Sequence, residues 1–95
     1  MAINKENYNY EVSTKTNVFS SGTNIVPDGF SSVICVNSGN DIAFINDNIP
    51  VFPKTTFEFR NRPDTVITED FRIRFAGQED APQVAVMRVY YKKIK

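Results

Sequence analysis

Residues able to move protons or hold a metal are scarce in this chain, and that scarcity is the first constraint on its chemistry. Histidine is absent, which removes the commonest general base and metal ligand and with them any Ser-His-Asp or Cys-His device. Cys35 is the single cysteine and is flanked by Val33, Ile34 and Val36, so it is expected as a buried, inert thiol rather than a nucleophile. Paired carboxylates occur at Glu69-Asp70 and Glu79-Asp80, but adjacent residues of an extended chain point to opposite faces and cannot converge on one substrate atom. The acids from Asp41 to Asp47 lack the spacing of a calcium loop. No catalytic, cofactor-binding or metal site is assigned, and the chain is read as non-enzymatic.

Binding chemistry has more candidates. Arg60, Arg62, Arg72 and Arg74 would place four guanidinium groups on one sheet face if the strands carrying them pair. A single-stranded nucleic-acid groove needs such a face together with exposed aromatics. Glu58, Asp64, Glu69 and Asp70 are interleaved with the arginines, and the nearby Phe side chains fall on the inward parity. An ion-pair face or an oligomer contact is therefore favoured over nucleic acid. Carbohydrate recognition wants an aromatic platform; Trp is absent, and Tyr8, Tyr10, Tyr90 and Tyr91 sit beside apolar neighbours that half-bury such rings.

The elements that must carry these residues follow from period-two alternation. No window shows the apolar spacing of an amphipathic helix, whereas Tyr8, Tyr10 and Val12 alternate with Asn7, Asn9 and Glu11 as a first strand. The polar stretch from Thr14 to Asn24 reads as a loop or an irregular edge strand. Val26-Pro27-Asp28-Gly29 is a turn, Val33 to Val36 a strand apolar on both faces, Asn37 to Asp41 turn chemistry, and Ile42 to Ile45 a second two-faced strand. These last two strands are expected to form a hairpin. Prolines at 50 and 53 confine the extended piece between them to an edge or loop. Phe57 and Phe59, then Phe71, Ile73 and Phe75, mark inward faces, with Glu58, Arg60, Arg72 and Arg74 outward. Val84 to Tyr91 is the closing strand.

Six to eight short strands at roughly ten-residue spacing predict an all-β fold, a small antiparallel β-sandwich or jelly-roll-like barrel. Its 95 residues make one domain, with residues 1–24 as a less regular arm or edge strand and residues 92–95 as a basic tail. A chain this short buries only roughly 60 to 65% of the surface its unfolded form exposes. Formal net charge is zero, with the acidic excess in the first half and the basic excess in the second, which disfavours nonspecific binding to nucleic acid. No apolar run approaches the roughly 18 residues of a membrane span, and the first dozen residues lack the apolar core of a signal peptide.

The closing strand carries the oligomer expectation. Val84, Val86 and Tyr90 share a parity with Arg88, and Ala85, Met87, Val89 and Tyr91 share the other. The uncharged second set is expected inside the sandwich. The first set, Val84, Val86, Arg88 and Tyr90, is then expected to meet a partner subunit, with Arg88 paired to an acid from the other chain's N-terminal half. A homo-oligomer follows, a trimer being the favoured form.

The order of features from Val26 to Tyr91 resembles small β-sandwich accessory proteins in virions of tailed bacteriophages, of the head-decoration or head-fibre type. The residues carrying the resemblance are Val26-Pro27-Asp28-Gly29-Phe30, Asn37-Ser38-Gly39, the run from Asn46 to Pro53, the alternating Phe57 and Phe59, and Val84 to Tyr91. In such modules a Pro-Gly turn commonly precedes the alternating strand; here Lys54 stands in place of that Gly. The resemblance implies a structural subunit that self-associates and docks on a larger virion shell or tail protein, made in the host cytoplasm. The alternative from a different class is a small binding module for carbohydrate or single-stranded nucleic acid.

Overall fold

A computed structural model of the chain describes residues 10–94; Tyr8, the first nine residues of the expected N-terminal arm and Lys95 lie outside them. Eight strands follow in order: β1 (Tyr10–Phe19), β2 (Thr23–Ile25), β3 (Ser32–Asn37), β4 (Ala43–Ile45), β5 (Ile49–Val51), β6 (Thr56–Arg60), β7 (Phe71–Phe75) and β8 (Val84–Lys93). They form two four-stranded antiparallel sheets, β1-β8-β3-β6 and β2-β7-β4-β5. Reading across both sheets, β1 pairs with β8, β2 with β7, β3 with β6 and β4 with β5. That nesting is the jelly-roll order, a long hairpin rolled until its halves face each other as a sandwich.

The tip of the rolled hairpin lies between β4 and β5. Asn46 and Asp47 both take positive φ, 53° and 70°, and Asn48 N donates to Ile45 O at 3.3 Å. Positive φ at both central positions is the type I′ geometry whose twist matches the flanking strands. Pro50 is accommodated because β5 is the outer strand of its sheet. At the next turn, Pro53 presets one backbone angle and Lys54 takes φ 67°, while Thr55 N bonds back to Phe52 O at 3.0 Å. Lys54 therefore adopts the left-handed conformation that the Gly of a Pro-Gly turn provides without strain.

The expected hairpin of the two apolar strands does not form. β3 belongs to the first sheet and β4 to the second, so residues 38–42 carry the chain from one sheet to the other. A run apolar on both faces records only that it is buried. Which strand pairs with it is decided by distant segments, here β6 and β8 for β3 and β5 and β7 for β4. Of the polar stretch from Thr14 to Asn24, expected as a loop or an irregular edge strand, Thr14 to Phe19 completes a regular edge strand that begins at Tyr10, in unbroken register with β8 from Tyr10↔Lys93 to Phe19↔Val84, and Thr23 and Asn24 open β2. Lys92 and Lys93, expected in a tail, are the last residues of β8.

The core lies between the sheets and is built from Ile25, Phe30, Val33, Cys35, Ala43, Ile45, Val51, Ile67, Phe71, Ile73, Val84 and Val86. Phe71 and Ile73 are buried and Phe75 packs against the cluster, as their alternation predicts. Phe57 and Phe59 reach the same layer from the edge strand β6, their rings 6.4 and 5.5 Å from that of Phe71. The closing strand reverses expectation. Val84 and Val86 are 1% and 0% exposed and Tyr90 packs on the core, so the parity assigned to a partner faces the sandwich interior. Cross-strand register explains this: Val86 lies opposite Cys35 and Val84 opposite Asn37, both buried.

This placement changes what a charge at position 86 does. Val86→Asp puts an unpaired carboxylate in the dry layer beside Cys35, costing several kcal/mol of the roughly 5 to 15 that hold a domain folded. The expected outcome is loss of a cooperative urea transition, checked by near-ultraviolet circular dichroism. A folded variant with an altered mass on a sizing column would return Val86 to an interface.

Candidate interaction surface

The outer face of the first sheet is set by the same register. With Val33, Cys35, Val84 and Val86 inside, the alternate residues Ile34, Val36, Ala85, Met87, Val89 and Tyr91 lie outside the core cluster, Val89 being itself covered at 7% exposure. β1 extends this face with Tyr10, Val12, Thr14, Thr16 and Val18, which lie beside Lys93, Tyr91, Val89, Met87 and Ala85. Val12 and Val18 are 60% and 58% exposed and Val36 is 39% exposed. Across β1, β3 and β8 the described outward side chains carry no charge before Lys93 at the far end; Glu58 and Arg60 on β6 form one border. From strand spacing and rise the uncharged area is roughly 400 Å².

Arg88, expected at an intersubunit contact, occupies the rim of the interior. Its guanidinium donates to Asn17 Oδ1 at 2.6 Å and lies 3.6 Å from Asp28 Oδ2, with the side chain 13% exposed and Nε without a hydrogen-bond partner. The acid does come from the N-terminal half, but of the same chain. Tyr90 donates its hydroxyl to Asp28 at 2.9 Å and packs its ring edge-on against Phe30. Partial burial, and then the neighbouring Asp28 carboxylate, raise the Tyr90 phenol above its ordinary value. Gly29, at φ 108°, lets the turn present Asp28 to this pair.

The four arginines do not share a face. Arg60 is on β6 of the first sheet, where it bonds Glu58 at 2.9 Å; Arg72 and Arg74 are on β7 of the second. Arg62 follows β6 in a loop. Arg72 and Arg74 both engage Asp47 at the β4-β5 tip, Arg74 at 3.1 Å. Asn46 completes that junction: its N–H bonds Arg72 O at 2.8 Å and its side-chain oxygen accepts from Arg72 N at 2.9 Å. These exposed pairs are worth little to stability, but they neutralise the guanidinium field above a shallow depression lined by Gly22, Thr23, Asn24 and Ile73.

Among the described residues no group of three His, Cys, Asp or Glu side chains could hold a metal. No helix of the described residues is long and apolar enough to cross a membrane. Comparison with known proteins finds no family model, no curated protein and no solved structure that matches this chain. The outer face of β1, β3 and β8 is a site that the sequence reasoning missed as such, although its residues were visible as the second parity of the closing strand. Only the register with β3 says which parity is inside.

Two outcomes follow from this geometry. Burial pushes the Cys35 thiol up to about 12 from 9.0, so the native protein should leave a thiol reagent unreacted at pH 8 and react on unfolding. Because the folded state holds this proton more tightly, the stability it contributes is complete below pH 9.0 and is lost as pH rises through about 12. Separately, Asp28→Ala removes the acceptor shared by Arg88 and Tyr90 and should lower unfolding stability by about 2 kcal/mol in urea titration. Arg88→Met should cost much less, since a thioether stem fills the same space without a charge to solvate.

Proposed function

We propose that the protein is a non-enzymatic structural subunit of a phage-like virion, a capsid decoration, head fibre or other accessory component acting by self-association and docking. The observation that carries the docking is the uncharged outer face of the first sheet. A solvated sheet face ordinarily alternates apolar-in with polar-out; here both sides of β3 and β8 are apolar. Water-exposed Val12, Val18 and Val36, with Ile34, Met87 and Tyr91 between them, gain from being covered at roughly 25 cal/mol per Å². The particle context rests on the resemblance of the turn and strand order to accessory virion modules. The jelly-roll order is compatible with it, being shared by viral shell proteins and by lectins.

The binding-module alternative has one specific observation in its favour. On the outer face of the second sheet, Phe44 lies between Arg74 and Pro50, with Asn24 and Arg72 adjacent, a mixture of ring and polar groups suited to a sugar. Phe44 is itself partly covered by these neighbours, and Asp47 already occupies both arginines.

Met87→Asp separates the readings. It charges the centre of the outer face without entering the core, so the variant should stay folded. In light scattering behind a sizing column at tens of micromolar, the wild type should run as an oligomer and the variant as a smaller species. A folded wild-type monomer would remove the structural-subunit reading. Salt-sensitive binding of single-stranded DNA, or saturable binding to a glycan, would support the binding module instead.

A further inference from the structure

The two sheets have four edges, and three of them are short: β2 and β5 have three residues each, with Pro50 in the latter, and β6 has five. Short strands and proline are the usual means of blunting an edge against further pairing. The fourth edge, β1, has ten residues, no proline and unbroken register. Ser38 N donates to Gln83 O, and Ser31 N to Val89 O, so the odd-numbered residues of β8 direct their backbone groups toward β3. The even-numbered ones therefore serve β1, where they meet Glu11, Ser13, Lys15, Asn17 and Phe19. That leaves Tyr10, Val12, Thr14, Thr16 and Val18 with backbone N–H and C=O directed away from the sheet.

We infer that this edge pairs antiparallel with β1 of a second copy, about a two-fold axis through Ser13. The inference rests on the self-association part of the function proposed above and names its geometry. A two-fold normal to the sheet brings residues of equal parity opposite each other. With the axis at Ser13, Glu11 faces Lys15 of the other copy twice, Val12 faces Thr14, and Tyr10 faces Thr16. Both Glu11–Lys15 pairs fall at non-hydrogen-bonded positions, where opposed Cα atoms are only about 4.5 Å apart and side chains interact most. An axis at Thr14 sets Glu11 against Asn17 and Lys15 against Ser13, losing both ion pairs. An axis at Lys15 sets that lysine against itself. Glu11 and Lys15, the only charges on β1, are thus opposite in sign and spaced to select one register.

Area points the same way. One uncharged outer face of roughly 400 Å² is half of the roughly 800 Å² per partner of a specific interface. Edge pairing creates an eight-stranded sheet with two such faces side by side, which reaches that size. The paired dimer, rather than the lone chain, then presents the docking surface.

The test uses the described register. Ser13→Cys places thiols across the axis at a separation a disulfide spans, so mild oxidation should give a dimer at twice the chain mass in a denaturing gel without reductant. Asn17→Cys, on the same side of the strand but away from the axis, should not cross-link. Thr14→Pro removes a free-edge N–H without breaking a bond to β8, and should give a folded monomer by circular dichroism and light scattering. Glu11→Lys should weaken dimerisation about tenfold, and adding Lys15→Glu should restore it. If assembly survives Thr14→Pro and Ser13→Cys does not cross-link, while Met87→Asp still disassembles the protein, edge pairing is overturned and face docking stands. If Thr14→Pro abolishes assembly and Met87→Asp does not, the reverse holds. A monomeric wild type overturns both.

Discussion

The side-chain amide of Asn37 is the interaction on which the two-sheet architecture turns. It is 0% exposed, and it donates to Asp41 O and Val51 O at 2.8 Å each while accepting from Gly39 N at 3.1 Å. Its own backbone N–H donates to Thr55 O and its carbonyl accepts from Lys54 N, in the turn just before β6. One residue at the end of β3 is thereby tied to the crossover it opens, to β5 in the opposite sheet and to β6 in its own. The buried carbonyls of Asp41 and Val51 each gain a donor, and Gly39 N–H, which also meets Gln83 O, gains a second acceptor; a buried polar group left unmade costs about 1 to 3 kcal/mol. Ser38 and Gly39 N–H both meet Gln83 O, and Asn40 N meets Ala81 O, so the crossover is also fastened to the chain entering β8. A Cβ at Gly39 would collide with the backbone of residues 81–83, which is why no side chain stands there.

Asp41 extends the same logic into the second sheet. Its carboxylate, 1% exposed as a residue, accepts from Ile42 N at 2.9 Å and Gly77 N at 2.7 Å, joining the start of β4 to the end of β7. At the other end of β4, Asn46 does the equivalent with Arg72. The short strands of the second sheet, three residues each for β2, β4 and β5, therefore do not depend on their ladders alone. Asn and Asp side chains finish the ladders at both ends, which accounts for the abundance of these residues between apolar bursts.

Strand positions and most parities were legible in the sequence, because Gly, Pro and Asn clusters mark reversals and the phenylalanines of β6 and β7 alternate with charge. Pairing was not. Val33 to Val36 and Ile42 to Ile45 look like the arms of one hairpin because turn residues lie between them, and nothing local distinguishes a hairpin turn from a sheet crossover. Closing strand β8 misled for a related reason: both its parities are apolar, and Arg88 served as the tie-breaker for the outside. The guanidinium sits instead at the rim of the interior, with Asn17 and Asp28 supplied by β1 and the turn before β3. Those partners are 71 and 60 residues away in sequence, the former distance set by a β1–β8 pairing that spans nearly the whole chain. The four-arginine face failed likewise, because β6 and β7 are consecutive in the chain but belong to different sheets.

The two exteriors of the sandwich are unequal. On the second sheet, outward guanidinium groups are matched within the chain, Arg72 and Arg74 by Asp47, and the edges are closed by brevity and by Pro50. On the first sheet the outward side chains of three neighbouring strands are uncharged short of Lys93, and five residues of its outermost strand direct their backbone groups away from β8, with no strand beyond them among the described residues. Edge and face adjoin, so the unmet hydrogen-bonding capacity and the uncovered apolar area belong to one continuous region. The only polar groups at their boundary in mid-strand are the neutral hydroxyls of Thr14 and Thr16. No charged row separates edge from face, so whatever extends the sheet along β1 would also extend the face.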